Sequence, residues 1–175
     1  ELIQDKKINA TSCMSDTKHW PQEANKLKEL LTKTPEKDQP LIGLHFSLTE
    51  PTISSNYIKS IVSSKNTSLL ELLIRSKLKI LSKKKISKIL EYQLNNFIKH
   101  FGRYPDFIDG HQHVHQFPII RCALIKFYKK RNLETPSFIR STYPLHGSLD
   151  KFKEFIINLS GAKKFRKLLK KKNVL

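Results

Sequence analysis

A chain of 175 residues, 38% hydrophobic and 27% charged, is long enough to bury one core without covalent staples. Its two cysteines, Cys13 and Cys122, share no ligand or framework spacing, which excludes a disulfide scaffold and reads as reduced, buried thiols of a cytoplasmic protein. No apolar run approaches the roughly 18 residues of a membrane span, no secretory leader opens the chain, and 33 Lys plus Arg against 15 Asp plus Glu leave a formal charge of +18.

Residues 1–7 read as the end of a helix and Ala10–Ser15 as a short strand. Apolar residues at Trp20, Ala24, Leu27, Leu30 and Leu31 follow a helical period over Trp20–Thr32, with Pro21 suited to its first turn. Pro35–Pro40 is a polar break, and Leu41–Leu48 is a compact apolar strand interrupted by Gly43. Ser68–Phe101 is helical, parted into two near Lys83–Lys85 and stopped by Gly102. Arg103-Tyr104-Pro105 turns the chain into the strand Asp106–Gly110, followed by a helix over Pro118–Lys130, a strand at Ser137–Ser141 and one or two basic helices over Lys151–Lys171. Strands separated by helices predict one α/β domain with a parallel sheet or barrel.

The basic excess is concentrated in Lys77–Lys88, Lys126–Arg131 and Lys163–Lys172. It admits a polyanion partner. Yet the chain is rich in Lys, Ile, Asn and Leu and carries no recognisable nucleic-acid-binding motif, so a solvated surface is the favoured reading.

Chemistry concentrates in Asp109-Gly110-His111-Gln112-His113-Val114-His115, where three of seven histidines fall within five residues beside a carboxylate. Imidazole is the commonest protein ligand for transition metals, so a metal site is the first expectation. If Leu41–His45 and Phe107–His111 are parallel strands, both histidines lie at strand C-terminal ends, where α/β folds assemble their sites. Asp109 could then orient a ligating imidazole through its second ring nitrogen, or it could cap the turn that follows. On a helix, His111 and His115 would instead share one face, but no glutamate follows His111 as in a zincin motif.

Ile42-Gly43-Leu44-His45-Phe46-Ser47-Leu48-Thr49-Glu50 resembles the "GLHxxLTEG" segment of the YdjC-like carbohydrate deacetylases, departing from it at Pro51. Tyr104 through Pro118 is similar to that family's "P-x-x-x-D-[SG]-H-x-H-x-H-x-[FHL]-P" signature, and Ala10-Thr11-Ser12-Cys13-Met14 resembles its "TSTSLM" strand. Ser137-Phe138-Ile139-Arg140 falls where the family has a strand ending in arginine. The resemblance implies a distorted (β/α) barrel of the polysaccharide-deacetylase type. It implies His45 and His111 as ligands of a divalent ion, Mg²⁺ or Zn²⁺, and an acetylated sugar or oligosaccharide as substrate. In such a centre the ion activates water and stabilises the oxyanion, a carboxylate takes the water's proton, and an imidazole returns one to the leaving amine.

The family's third ligand is an aspartate in an "ADDFG" motif on the first strand, and this chain contains no such motif. The chain begins at Glu1 rather than Met, and its first residues match the helix after that strand. It is therefore read as a copy truncated at both ends, with the first strand missing, and as catalytically incomplete. Asp16 and Glu50 are the substitutes to consider for the third ligand. His113 and His115 are each assigned as acid or supporting residue, Asp109 as a support for the ligands, and Arg140 as either a surface ion-pair partner or a holder of sugar or phosphate oxygens. His19, His100 and His146 receive no role. Two functions remain. One is a metal-dependent N-deacetylase of acetylated sugars. The other is a non-catalytic basic protein that binds nucleic acid or an anionic surface. Self-association is left open, nucleic acid is not the expected partner, and no membrane span is expected.

Overall fold

The computed structural model describes residues 2–49, 68–131, 138–141 and 160–172, with the side chains of 130 and 131 excepted. Four strands, β1 (Ala10–Cys13), β2 (Leu41–Phe46), β3 (Phe107–Gly110) and β4 (Phe138–Ile139), form one sheet in sequence order, every pair parallel. Helices α1 (Trp20–Thr32), α2 (Leu69–Lys77), α3 (Lys83–Phe101) and α4 (Pro118–Arg131) occur between the strands, and α5 (Ala162–Lys172) follows β4. The fold is α/β and consistent with the distorted barrel-like deacetylase type, but these four strands do not close a barrel.

Local chemistry explains the element ends. Pro21 occupies the first turn of α1. Ser68 accepts from the Glu71 amide at 3.1 Å to start α2, and Ser82 accepts from the Lys85 amide at 3.4 Å to start α3. Gly102, at φ 92°, stops α3 by donating its amide to the Ile98 carbonyl at 2.8 Å. The break between α2 and α3 lies at 78–82, earlier than the lysine run suggested, because Lys79 takes a left-handed conformation and Ser82 caps the new helix. Residues 2–7 form hydrogen-bonded turns rather than a helical end, with Lys6 left-handed. The expected helix over Lys151–Lys171 is described only from Ala162, and Ser137, His146 and residues 50–67 lie outside the described segments.

One face of the sheet is apolar. Ile42, Leu44, Phe46, Ile108 and Ile139 are fully buried, and α3 supplies Ile86, Ile89, Leu90, Leu94 and Phe97 to the same core. Trp20 stacks on Phe97 at 5.3 Å between ring centres, joining α1 to α3. Two polar residues of α3 hold the loops beyond β1 and β2. Gln93 accepts from the Ser47 amide at 3.1 Å and donates to its carbonyl at 2.8 Å, while the Gln93 carbonyl accepts from Ser15 Oγ at 2.6 Å. Asn96 donates to the Ser15 carbonyl.

On the other face Phe107 stacks on Phe138 at 5.6 Å, and its ring lies directly over Gly43. A Cβ at Gly43 would sit 2.5 Å from that ring, so only glycine permits the two strands and the aromatic pair to coexist. Cys122 is exposed and Cys13 half-buried, which corrects the expectation that both are buried. Helical phase turns Cys122 outward, and Cys13 lies on an edge strand. Among the described residues no helix is long and apolar enough to cross a membrane.

Overpacking in a fixed core costs about 1–3 kcal/mol. Gly43→Ala should lower stability by that amount in urea denaturation, and shortening the ring with Phe107→Leu in the same chain should recover part of the loss.

Candidate metal centre

Strand register builds the site. Ser12 pairs with Gly43, placing it on the same face as His45 two residues further along β2. His45 pairs with Asp109, and Arg140 follows β4, its amide donating to the Ile108 carbonyl at 2.9 Å. Ser12, His45, Asp109 and Arg140 therefore form one polar row across the C-terminal ends of all four strands.

Asp109 is the centre of the row and is 5% exposed. Its Oδ1 lies 2.7 Å from His45 Nδ1, and its Oδ2 accepts from Ser12 Oγ at 3.1 Å and from the Arg140 guanidinium at 3.4 Å. Burial by itself would raise the carboxyl pKa. The hydrogen bond and charge of His45, with the Ser12 hydroxyl, outweigh it and hold the group below its ordinary range. An ionised Asp109 can only accept, so Nδ1 of His45 carries a proton, and in the neutral ring the lone pair is on Nε2.

The His111 ring stands edge-on to that of His45, with centres 5.4 Å apart. Two imidazoles bound at about 2.1 Å to one tetrahedral ion place their centres roughly 5 Å apart, so this pair and its donor chemistry fit a shared divalent ion. Among the described residues no group of three His, Cys, Asp or Glu could hold a metal. Asp16 is buried and forms no such group with the pair, Asp109 is occupied by His45, and Glu50 lies outside the described residues.

The histidine-rich segment is not the helix that would put His111 and His115 on one face. Residues 111–116 form 3₁₀ turns broken at Gln112 (φ 49°) and His113 (φ 58°), two consecutive left-handed residues without glycine. Strain of this kind is retained where the surroundings impose it. His113 is turned outward, and desolvation with the nearby Arg140 charge lowers its pKa.

His115 is turned inward and fully buried. Its Nε2 donates to the Arg140 carbonyl at 3.1 Å, and its ring packs on Phe165 of α5 at 5.6 Å. The ring also fills the space where Gly110 would carry a side chain, Nδ1 lying 2.5 Å from the Cβ position. His115 thus secures the strand end that carries Arg140.

Nothing in local periodicity marks Ser12, which the sequence presents only as one residue of a short strand. Its importance follows from register with a strand 31 residues away.

A parallel sheet with a histidine pair at its C-terminal ends defines an α/β protein with its candidate site at the strand ends. Residues 1–174 match the YdjC-like protein family, and the chain belongs to that family, which places it at coarse level with carbohydrate deacetylase-type proteins. No curated protein matches the chain.

Burial holds the His115 ring neutral and lowers its pKa from 6.5 to about 4. Between those values the unfolded chain binds the extra proton, so stability should fall as pH drops from 6.5 toward 4 and level off below. The loss should reach roughly 3 kcal/mol. Urea midpoints across this range would show it, and His115→Gln should flatten the slope.

Proposed function

We propose that the polar row and the His45–His111 pair form the metal-holding part of a hydrolase centre that removes N-acetyl groups from acetylated sugars or oligosaccharides. The observation that carries this reading is the 2.7 Å contact of Asp109 with His45 Nδ1. It leaves Nε2 as a donor beside His111, at the strand ends of a YdjC-like chain. A divalent ion, Zn²⁺ or Mg²⁺, bound by these imidazoles would supply Lewis-acid activation of water and of the acetamide carbonyl.

The remaining roles belong to the chain. Asp109 accepts from His45 Nδ1 and orients the ring. His113, exposed beside the pair, takes the proton of the attacking water and delivers it to the leaving nitrogen as the C–N bond breaks, giving acetate and a free amine. Arg140, whose side chain is 61% exposed, holds a sugar oxygen at the rim while its backbone is tied down by His115. His115 serves by position, since no solvent or substrate reaches its ring.

Catalytic zinc usually has three protein ligands, and the described residues offer two imidazoles. Calorimetric titration should therefore show weak Zn²⁺ binding, weaker still in His45→Ala and His111→Ala and unchanged in His100→Ala. Parent-like binding by both site variants would remove the centre. With N-acetylglucosamine oligomers the 175-residue chain should release no acetate that chelator abolishes. Chelator-sensitive release would assign a third ligand outside the described residues, with Glu50 the first to substitute.

A second reading, polyanion binding, has one specific observation in its favour. Lys83, Lys84 and Lys88 of α3 and Lys126 of α4 line one concavity of about 560 Å³, and among the described residues none of the four is ion-paired. As a solvated surface it should bind DNA weakly, without sequence preference, and release it steeply with salt. Filter binding from low to physiological salt checks this; retained submicromolar affinity for one sequence would favour the second reading.

A further inference from the structure

We infer that Ser12 is a positioning residue, whose hydroxyl locks the Asp109–His45 pair with the proton on His45 Nδ1 and the lone pair on Nε2. The hydroxyl lies 3.1 Å from His45 Nδ1 and 3.1 Å from Asp109 Oδ2, so it touches both members of the pair from a third strand. A hydroxyl has one proton to donate and can accept as well. The carboxylate can only accept, so the Ser12 proton points to Oδ2 and an oxygen lone pair is left facing His45.

Nδ1 then faces two acceptors, Asp109 Oδ1 at 2.7 Å and Ser12 Oγ at 3.1 Å, and no donor of this triad. The alternative tautomer would set the Nδ1 lone pair against a carboxylate oxygen. Asp109 by itself does not guarantee this arrangement. The terminal torsion of aspartate is broad, and the Arg140 guanidinium draws on Oδ2 from the β4 side at 3.4 Å. Ser12 holds the same oxygen from the β1 side and keeps Oδ1 aimed at the imidazole. The strand register places it there, with Gly43 as its partner and no Cβ between it and the row.

The consequence for a divalent ion rests on the metal-centre reading above; the placement of the proton does not. Thr and Val share one shape and differ by a hydroxyl, so Ser12→Thr and Ser12→Val separate the hydroxyl from strand packing. In the full chain, metal-free and ¹⁵N-labelled at histidine, long-range ¹⁵N–¹H spectra report the tautomer of each ring. His45 should be an Nδ1–H tautomer with a downfield, slowly exchanging proton in the parent and in Ser12→Thr. In Ser12→Val that proton should be lost or shifted upfield, with mixed tautomers.

Zn²⁺ alone should bind roughly tenfold more weakly to Ser12→Val than to Ser12→Thr, the usual scale for residues that orient a ligand. Identical His45 signals in Thr and Val variants of equal thermal stability would overturn the inference. A tautomer difference in a parent that binds no Zn²⁺ would support Ser12 as the positioning residue and count against the metal centre.

Discussion

A nearly buried, ionised carboxylate in the middle of a parallel sheet is the constraint on which this molecule turns. Removing such a charge from water is expensive unless donors surround it. Asp109 obtains donors from β1, β2 and the segment after β4, namely Ser12, His45 and Arg140. No single neighbour supplies them, so the charge is satisfied only when all four strands are in register. A one-residue slip of β3 would bring Ile108 or Gly110 into the row and strand the carboxylate. The electrostatics that shape the site therefore also help to specify the sheet.

Steric fit complements that charge network. Gly43 clears the ring of Phe107 below the row, and Gly110 clears the ring of His115 above it. On the opposite face, α3 reaches over the strand ends through Gln93 and Asn96, fixing the loops that leave β1 and β2 beside the site. The floor is thus held by the sheet and α3, whereas Gln112 and His113 at the rim occupy left-handed conformations. A rigid base with a strained, outward imidazole suits the proposed centre, which would hold its ligands in one geometry and present a proton carrier to substrate.

Element type was legible because it follows from periodicity and punctuation. The α1 boundaries come directly from Pro21 and the apolar spacing, and Gly102 marks the end of α3. The lysine run misled at the α2–α3 break, since composition does not register a single left-handed Lys79 or the Ser82 cap. The histidine segment was conspicuous and its place at a strand end was legible, while the helix face that its spacing also permitted is prevented by the left-handed pair at 112–113. His113 and His115, indistinguishable by spacing, separate by burial: one faces outward, the other fills the space over Gly110.

The sequence by itself determined the α/β alternation, the concentration of donors at two strand ends and membership of the YdjC-like family. These depend on residue order within short windows. Tertiary structure alone decided that Ser12 shares a face with His45, that Asp109 is oriented by three strands, and that His115 serves Arg140. Those relations join residues 25 to 97 positions apart and arise from strand register, which hydrogen bonding and packing settle together and which no local pattern records.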